Sequence, residues 1–179
     1  MTVPPSVDAF LAATYQALSG PAPRSALRTL LKATVQALAS RSQPWLEDDD
    51  DEVLLASSPE LTVYHITLSP RIHYPPHDHR VPAMIALYHG AETSFSYRRV
   101  GCALERVRRH DYAAPSIAEL PDDVIHSVVN MGTARSAAIH VYFGDLKKVT
   151  RSIWDRDLQA ERPFDNEFYF AQATRLEDA

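Results

Sequence analysis

His77 and His79, separated by one residue, together with His126 far downstream, constrain the fold more than any other feature of the chain. Side chains two positions apart on an extended strand leave the same face, so His77 and His79 point together and Asp78 points away. One strand then offers two imidazoles side by side. Bringing a third from His126 requires another strand to fold back across the first, which β-barrels do naturally. Converging neutral imidazoles left without partners would each cost on the order of 1–3 kcal/mol. Coordination to one cation removes that cost for the ligating nitrogens, so His77, His79 and His126 are the candidate ligands of a single divalent metal.

The rest of the chain has the pattern such a site needs. Segments 7–18 and 25–40 have helical character and are broken apart by Gly20-Pro21-Ala22-Pro23. In the second, Leu27, Leu30, Leu31, Val35 and Leu38 form one apolar stripe suited to packing on a barrel, with Arg28 and Lys32 left to solvent. The acidic run Glu47-Asp48-Asp49-Asp50-Asp51-Glu52 reads as a solvated junction, since it lacks the spaced ligands and turn glycine of a calcium loop. Short β-rich runs then follow at 53–55, 61–68, 84–88, 94–100, 104–108, 124–130 and 137–143, separated by Pro, Gly, Asp and Asn. Neither a parallel βαβ alternation nor a solenoid repeat is present. The expected fold is mainly β, a small antiparallel barrel preceded by two N-terminal helices. Its parts are a helical segment over 1–46, a barrel over 53–165 and a tail over 166–179 with helical character from 166 to 176. The tail aromatics Trp154, Phe164, Phe168, Tyr169 and Phe170 are expected to dock onto the barrel.

Composition narrows the partners. A formal charge of −5 gives no general attraction to nucleic acid or to an anionic membrane, leaving small molecules as the expected ligands. The N-terminus has neither a basic start nor a long apolar run, and no segment approaches the length of a membrane span, so the expected location is cytoplasmic. The single Cys102 closes no intramolecular disulfide, so the fold does not depend on an oxidising compartment.

The segment from Pro121 to Asn130 resembles the second signature of the cupin superfamily: Pro121 stands two before Asp123, His126 three after it and Asn130 four after His126, with Asp123 where cupins usually have Gly. The first signature is similar in His77, His79 and the closing Gly90, but its Glu ligand is replaced, the positions after His79 ending in Ala83 and Met84. Three histidines without that carboxylate resemble the cysteine-dioxygenase branch, as does Ala138-Ile139-His140-Val141-Tyr142 beside that branch's Ser-x-His-x-Tyr. Tyr88-His89-Gly90-Ala91-Glu92, Tyr97-Arg98-Arg99, Arg151-Ser152-Ile153-Trp154-Asp155 and Glu161-Arg162-Pro163-Phe164-Asp165 are similar to landmarks of the bacterial cysteine-dioxygenase-like group, described as predicted metal-dependent double-stranded β-helix enzymes. The resemblance covers residues 53–165 and implies the cupin double-stranded β-helix.

It also implies chemistry. Imidazole suits iron, zinc, copper and nickel alike, and the resemblance selects Fe(II), with zinc or nickel able to replace it in a purified sample. Three neutral ligands leave the +2 charge uncompensated, which favours an anionic chelating substrate; a thiol bound there is deprotonated at neutral pH. The expected reaction uses O2 to oxidise a small thiol to its sulfinate. His140 and Tyr142, on one strand face by their spacing, are the candidate catalytic pair, with Ala138 lacking the hydroxyl that would hold His140.

Two departures argue against cysteine as the substrate. Met84 stands where some members have a Cys crosslinked to the active-site Tyr, and Cys102 is placed too differently to substitute. No Arg lies upstream of His77 within residues 47–58 to hold an amino-acid carboxylate; Arg80, Arg98 and Arg99 are candidate replacements from another direction, though each is expected rather to be solvated at the surface. His73, in the segment 69–76, is a candidate for the mouth of the site; Pro75-Pro76 would stiffen the start of the ligand strand and Gly90 permit a turn. Two other classes stay open: a three-His cupin dioxygenase that cleaves a chelating diketone or enol, and a metal-holding sensor without turnover, the latter favoured if His140 and Tyr142 face away from the metal.

Overall fold

The structure, a computed structural model, describes residues 5–41, 45–46, 51–155 and 157–176. Helices α1 (Val7–Leu18) and α2 (Pro23–Ala39) lead into strands β1 (Glu52–Ser57), β2 (Thr62–Leu68), β3 (Ile72–Asp78), β4 (Ala83–His89), β5 (Ala91–Val100), β6 (Ala103–Ala113), β7 (Ser116–Leu120), β8 (Ile125–Val129) and β9 (Ser136–Tyr142). Short strands β10 (Ser152–Trp154) and β11 (Glu161–Pro163), helix α3 (Asn166–Gln172) and β12 (Thr174–Arg175) follow. Most of the acidic run, residues 47–50, lies outside the described residues. Among those described, no helix is long and apolar enough to cross a membrane.

Two antiparallel sheets face each other. One has the order β1-β2-β9-β4-β7 and the other β11-β10-β3-β8-β5-β6, with β12 also against β3. Strands β2-β9-β4-β7 opposite β3-β8-β5-β6 make the two interleaved Greek keys of a jelly roll, the double-stranded β-helix expected from the sequence.

Alternation along the first sheet decides what lies on each side of it. Met84, Ala86 and Tyr88 on β4 and Ala137, Ile139 and Val141 on β9 face outward and pack with Phe10, Leu27, Leu31, Val35 and Leu38 of the helices. The intervening Ile85, Leu87 and His140 face the interior between the sheets. The helical layer thus covers the middle of one face of the sheet and frees the other to line a cavity. Met84 belongs to this helical side, and Cys102 is exposed.

Strand β3 carries the constraint read from the sequence, with one adjustment. Pro75-Pro76 lies inside it and not before it, at a register shift where Tyr74 pairs with Val128 and His77 with His126. Proline removes ladder donors, so a bulge is where a strand accommodates it. His73, a candidate for the mouth, meets Ser127 Oγ at 2.9 Å and lines a separate cavity with Tyr97 and Arg106.

Candidate metal centre

His77, next to last in β3, points into the barrel, and His126 sits directly across from it on β8. His79 lies just beyond β3, where Arg80 adopts a left-handed φ of 56° and turns the chain away. Asp78 points to the opposite side: its carboxylate pairs with Arg80 at 2.7 Å and accepts from the Ser152 N–H at 2.7 Å. This outward anchor holds the short His77-Asp78-His79 segment in register with both neighbours.

The three imidazoles converge. Nε2 of His79 lies 3.1 Å from Nε2 of His77 and 3.3 Å from Nε2 of His126. Two nitrogens each about 2.1 Å from a shared ion are about 3.0 Å apart at a right angle and about 3.4 Å at the tetrahedral angle, so these spacings fit one divalent metal. Among the described residues this is the one cluster of His, Cys, Asp and Glu arranged to hold such an ion, and no carboxylate joins it. His77 Nδ1–H donates to the Pro75 carbonyl at 3.1 Å, leaving the Nε2 lone pair for the centre. Ser94 Oγ stands 3.4 Å from His126 Nδ1, and His79 Nδ1 has no hydrogen-bond partner among the described residues.

Electrostatics keep the cluster neutral. Burial pushes the His126 imidazole down to about 4. Burial, then the neighbouring imidazoles, hold His77 and His79 well below the usual histidine range. Neutral imidazole is the ligating form, so no proton has to be displaced near neutral pH.

His140 and Tyr142 reach the same cavity from β9, in the opposite sheet. His140 Nδ1 is 3.1 Å from the Tyr142 hydroxyl, and the Tyr142 ring centroid is 4.9 Å from that of His79. Burial pushes His140 down to about 3 and raises Tyr142 above its ordinary value, so both are uncharged. Ala138 is fully buried and offers no hydroxyl, which leaves Tyr142 as the partner of His140.

The cavity has a volume of about 360 Å³. Its guanidinium is Arg151, in the segment after β9, a residue that nothing in the spacing of the sequence singled out. Arg80 and Arg99 belong to the Asp78 and Glu161 ion pairs and Arg98 to Glu105, all partly exposed and outside the cavity, in keeping with the surface role expected for them. Arg151 stacks 3.7 Å over the Phe164 ring and has no ion-pair partner among the described residues, though Glu52 stands near enough to offset part of its charge. Phe164 and Tyr169 dock onto the barrel as expected, and they also wall the site: their ring centroids lie 5.9 and 5.2 Å from that of His77.

No protein-family profile matches the chain, and no curated protein sequence matches it. Among solved structures it is similar to an RmlC-like cupin family protein with a double-stranded β-helix fold from Methanocaldococcus jannaschii, at 19% identity over 57% of this chain and 90% of that one, TM-score 0.47. It is also similar to a conserved protein with a double-stranded β-helix domain from Klebsiella pneumoniae, at 11% identity over 60% and 83% of the two chains, TM-score 0.48. A third similarity is to oxalate decarboxylase from Bacillus subtilis, a protein with Mn(II) centres, at 12% identity, TM-score 0.47; it covers 73% of this chain but only 39% of the decarboxylase. These similarities concern the fold, which the strand order establishes by itself.

Proposed function

We propose that the protein is an Fe(II)-dependent dioxygenase that adds both atoms of O2 to the sulfur of a small thiol, converting the thiolate to a sulfinate. The observation that carries this reading is the all-imidazole cluster of His77, His79 and His126 with the uncharged His140–Tyr142 pair facing it from the other sheet. Iron held by the three imidazoles would supply what side chains lack, a means of joining O2 to an anionic sulfur.

The side chains supply the rest. Arg151 offers a guanidinium to an anionic group on the substrate, which makes a thiol bearing a carboxylate the best match. Phe164 and Tyr169 keep water from that end of the site. Tyr142, kept protonated by burial, holds a hydroxyl proton where charge develops on oxygen during transfer; a His140 tautomer with its proton on Nδ1 donates to the phenol oxygen and leaves that proton free. A sensor without turnover fits less well, because His140 and Tyr142 face the cluster.

The test is anaerobic loading with Fe(II), followed by O2 consumption with 3-mercaptopropionate, cysteamine, cysteine and acetylacetone as separate substrates. Uptake with a thiol, matched by a sulfinate two oxygen atoms heavier, supports the reading. Uptake with acetylacetone alone replaces it with carbon-bond cleavage, and uptake with none overturns it.

A further inference from the structure

The cavity does not end at the histidines. Ser96 pairs with His126 and Glu92 lies four residues further along β5, about 13 Å at the usual strand rise. On the facing sheet Ser136 lies four residues along β9 from His140. The two meet at the floor of the barrel, where Ser136 Oγ–H donates to Glu92 Oε1 at 2.7 Å. Glu92 is 8% exposed and lines the cavity, and no protein group among the described residues bonds its second oxygen. Ser116 Oγ, lining the same end, is buried without a hydrogen-bond partner among the described residues. Between this floor and the imidazoles the walls are mostly apolar, with Leu68, Leu87, Ala118 and Val128; Ser94 and Tyr112 are the polar side chains among them.

A carboxylate buried at the end of an apolar shaft is costly unless something pairs with it. The cavity volume of about 360 Å³ is also that of a site for a ligand well beyond a three-carbon thiol. We propose that the Glu92 carboxylate, through the oxygen that Ser136 does not bind, is a second recognition subsite that takes the primary-ammonium end of an elongated substrate whose apolar stem runs down the barrel from the reacting centre. The substrate class is then a thiol acid with an amine-terminated tail; its sulfur and acid ends rest on the function proposed above, its ammonium end on the floor alone. Burial raises Glu92 to about 7, so an arriving ammonium would also draw the carboxyl into its charged form.

The experiment titrates the purified full chain, without metal or thiol, with n-butylamine, n-hexylamine and n-octylamine against the equal-length n-alkanols, by calorimetry at about pH 8, where the amines are charged. For at least one length the amine is expected to bind about tenfold tighter than the alkanol. Glu92→Gln, which keeps an acceptor for Ser136, should abolish that preference and leave alkanol binding unchanged. Ser136→Ala, which frees the carboxylate without removing it, should keep the preference. Equal binding of amine and alkanol at every length, no binding of either, loss of both together in Glu92→Gln, or loss of the preference in Ser136→Ala overturns the subsite. Because sulfur and iron are absent, an amine preference beside a failed O2 assay sinks the thiol reading alone, and the reverse result sinks the subsite alone.

Discussion

His140 Nδ1 stands 3.1 Å from the Tyr142 hydroxyl, and this pair belongs to the sheet opposite the one that carries His77 and His126. A hydrogen bond that strengthens as charge develops acts in the transition state. Tyr142→Phe should therefore lower kcat by about ten- to a hundredfold while iron content stays at the wild-type level. His140→Ala should act in the same direction, and the double variant should fall short of the summed effects. Unchanged turnover in an iron-replete Tyr142→Phe protein would leave the residue a packing role only.

Alanine at His77, His79 or His126 should each cut metal content sharply, measured as metal per chain after identical purification. Added Fe(II) at a hundredfold over its Kd should stabilise the wild type by about 2.7 kcal/mol and these variants far less. Three variants that all keep stoichiometric metal would contradict the assignment.

Arg151→Met should raise KM for 3-mercaptopropionate by about ten- to a hundredfold, as expected for losing a hydrogen bond to a charged group. Cysteamine, which has no carboxylate, should be unaffected. Equal losses for both thiols would mean that Arg151 only shapes the wall.

Glu92 gives a pH signature for the metal-free protein. Its carboxyl is raised from 4.5 to about 7 by burial, so between those values the folded state holds a proton that the unfolded chain releases. The contribution to stability is fully present below about pH 4.5 and is lost as pH rises through about 7, a change on the order of 3 kcal/mol. Glu92→Gln should therefore be the more stable protein at pH 8 by chemical denaturation, with the advantage gone near pH 4. A difference independent of pH would show that Glu92 does not titrate in this way.

Gly90 adopts φ +75°, and a Cβ there would lie 3.0 Å from Ser136 Cα and 3.2 Å from the Arg135 carbonyl. Those are backbone neighbours that cannot step aside. Gly90→Ala should destabilise the protein by about 1–3 kcal/mol in denaturant titration, whereas Gly101→Ala, with open space around its Cβ, should cost less.

Much of this was legible in the chain because it is local. The helix expected over 7–18 is α1 to the residue, capped by Ser6. That expected from 25 begins at Pro23, since proline suits the first helical turn. The imidazole spacing announced the cluster because strand geometry carries it. Strand β3 begins at Ile72, ahead of the Pro75-Pro76 that read as its entry, and β6 continues to Ala113, past Arg108, because an edge strand tolerates charge on both faces. The cis Ala114-Pro115 bond precedes β7, a strand with no apolar alternation to mark it. Arg151 was missed for a different reason. Its position in the cavity depends on how an irregular segment returns across the barrel, which no local pattern encodes.

The outer face of the β9 sheet is pressed by α2, while the β3–β8 face that carries the imidazoles is not. Ordinary drift among Leu31, Val35, Met84 and Ile139 would thus nudge Tyr142 relative to the ion without disturbing what grips it. The groups that face the cluster from β9 are thus tuned by one packing layer, and the imidazoles themselves by another.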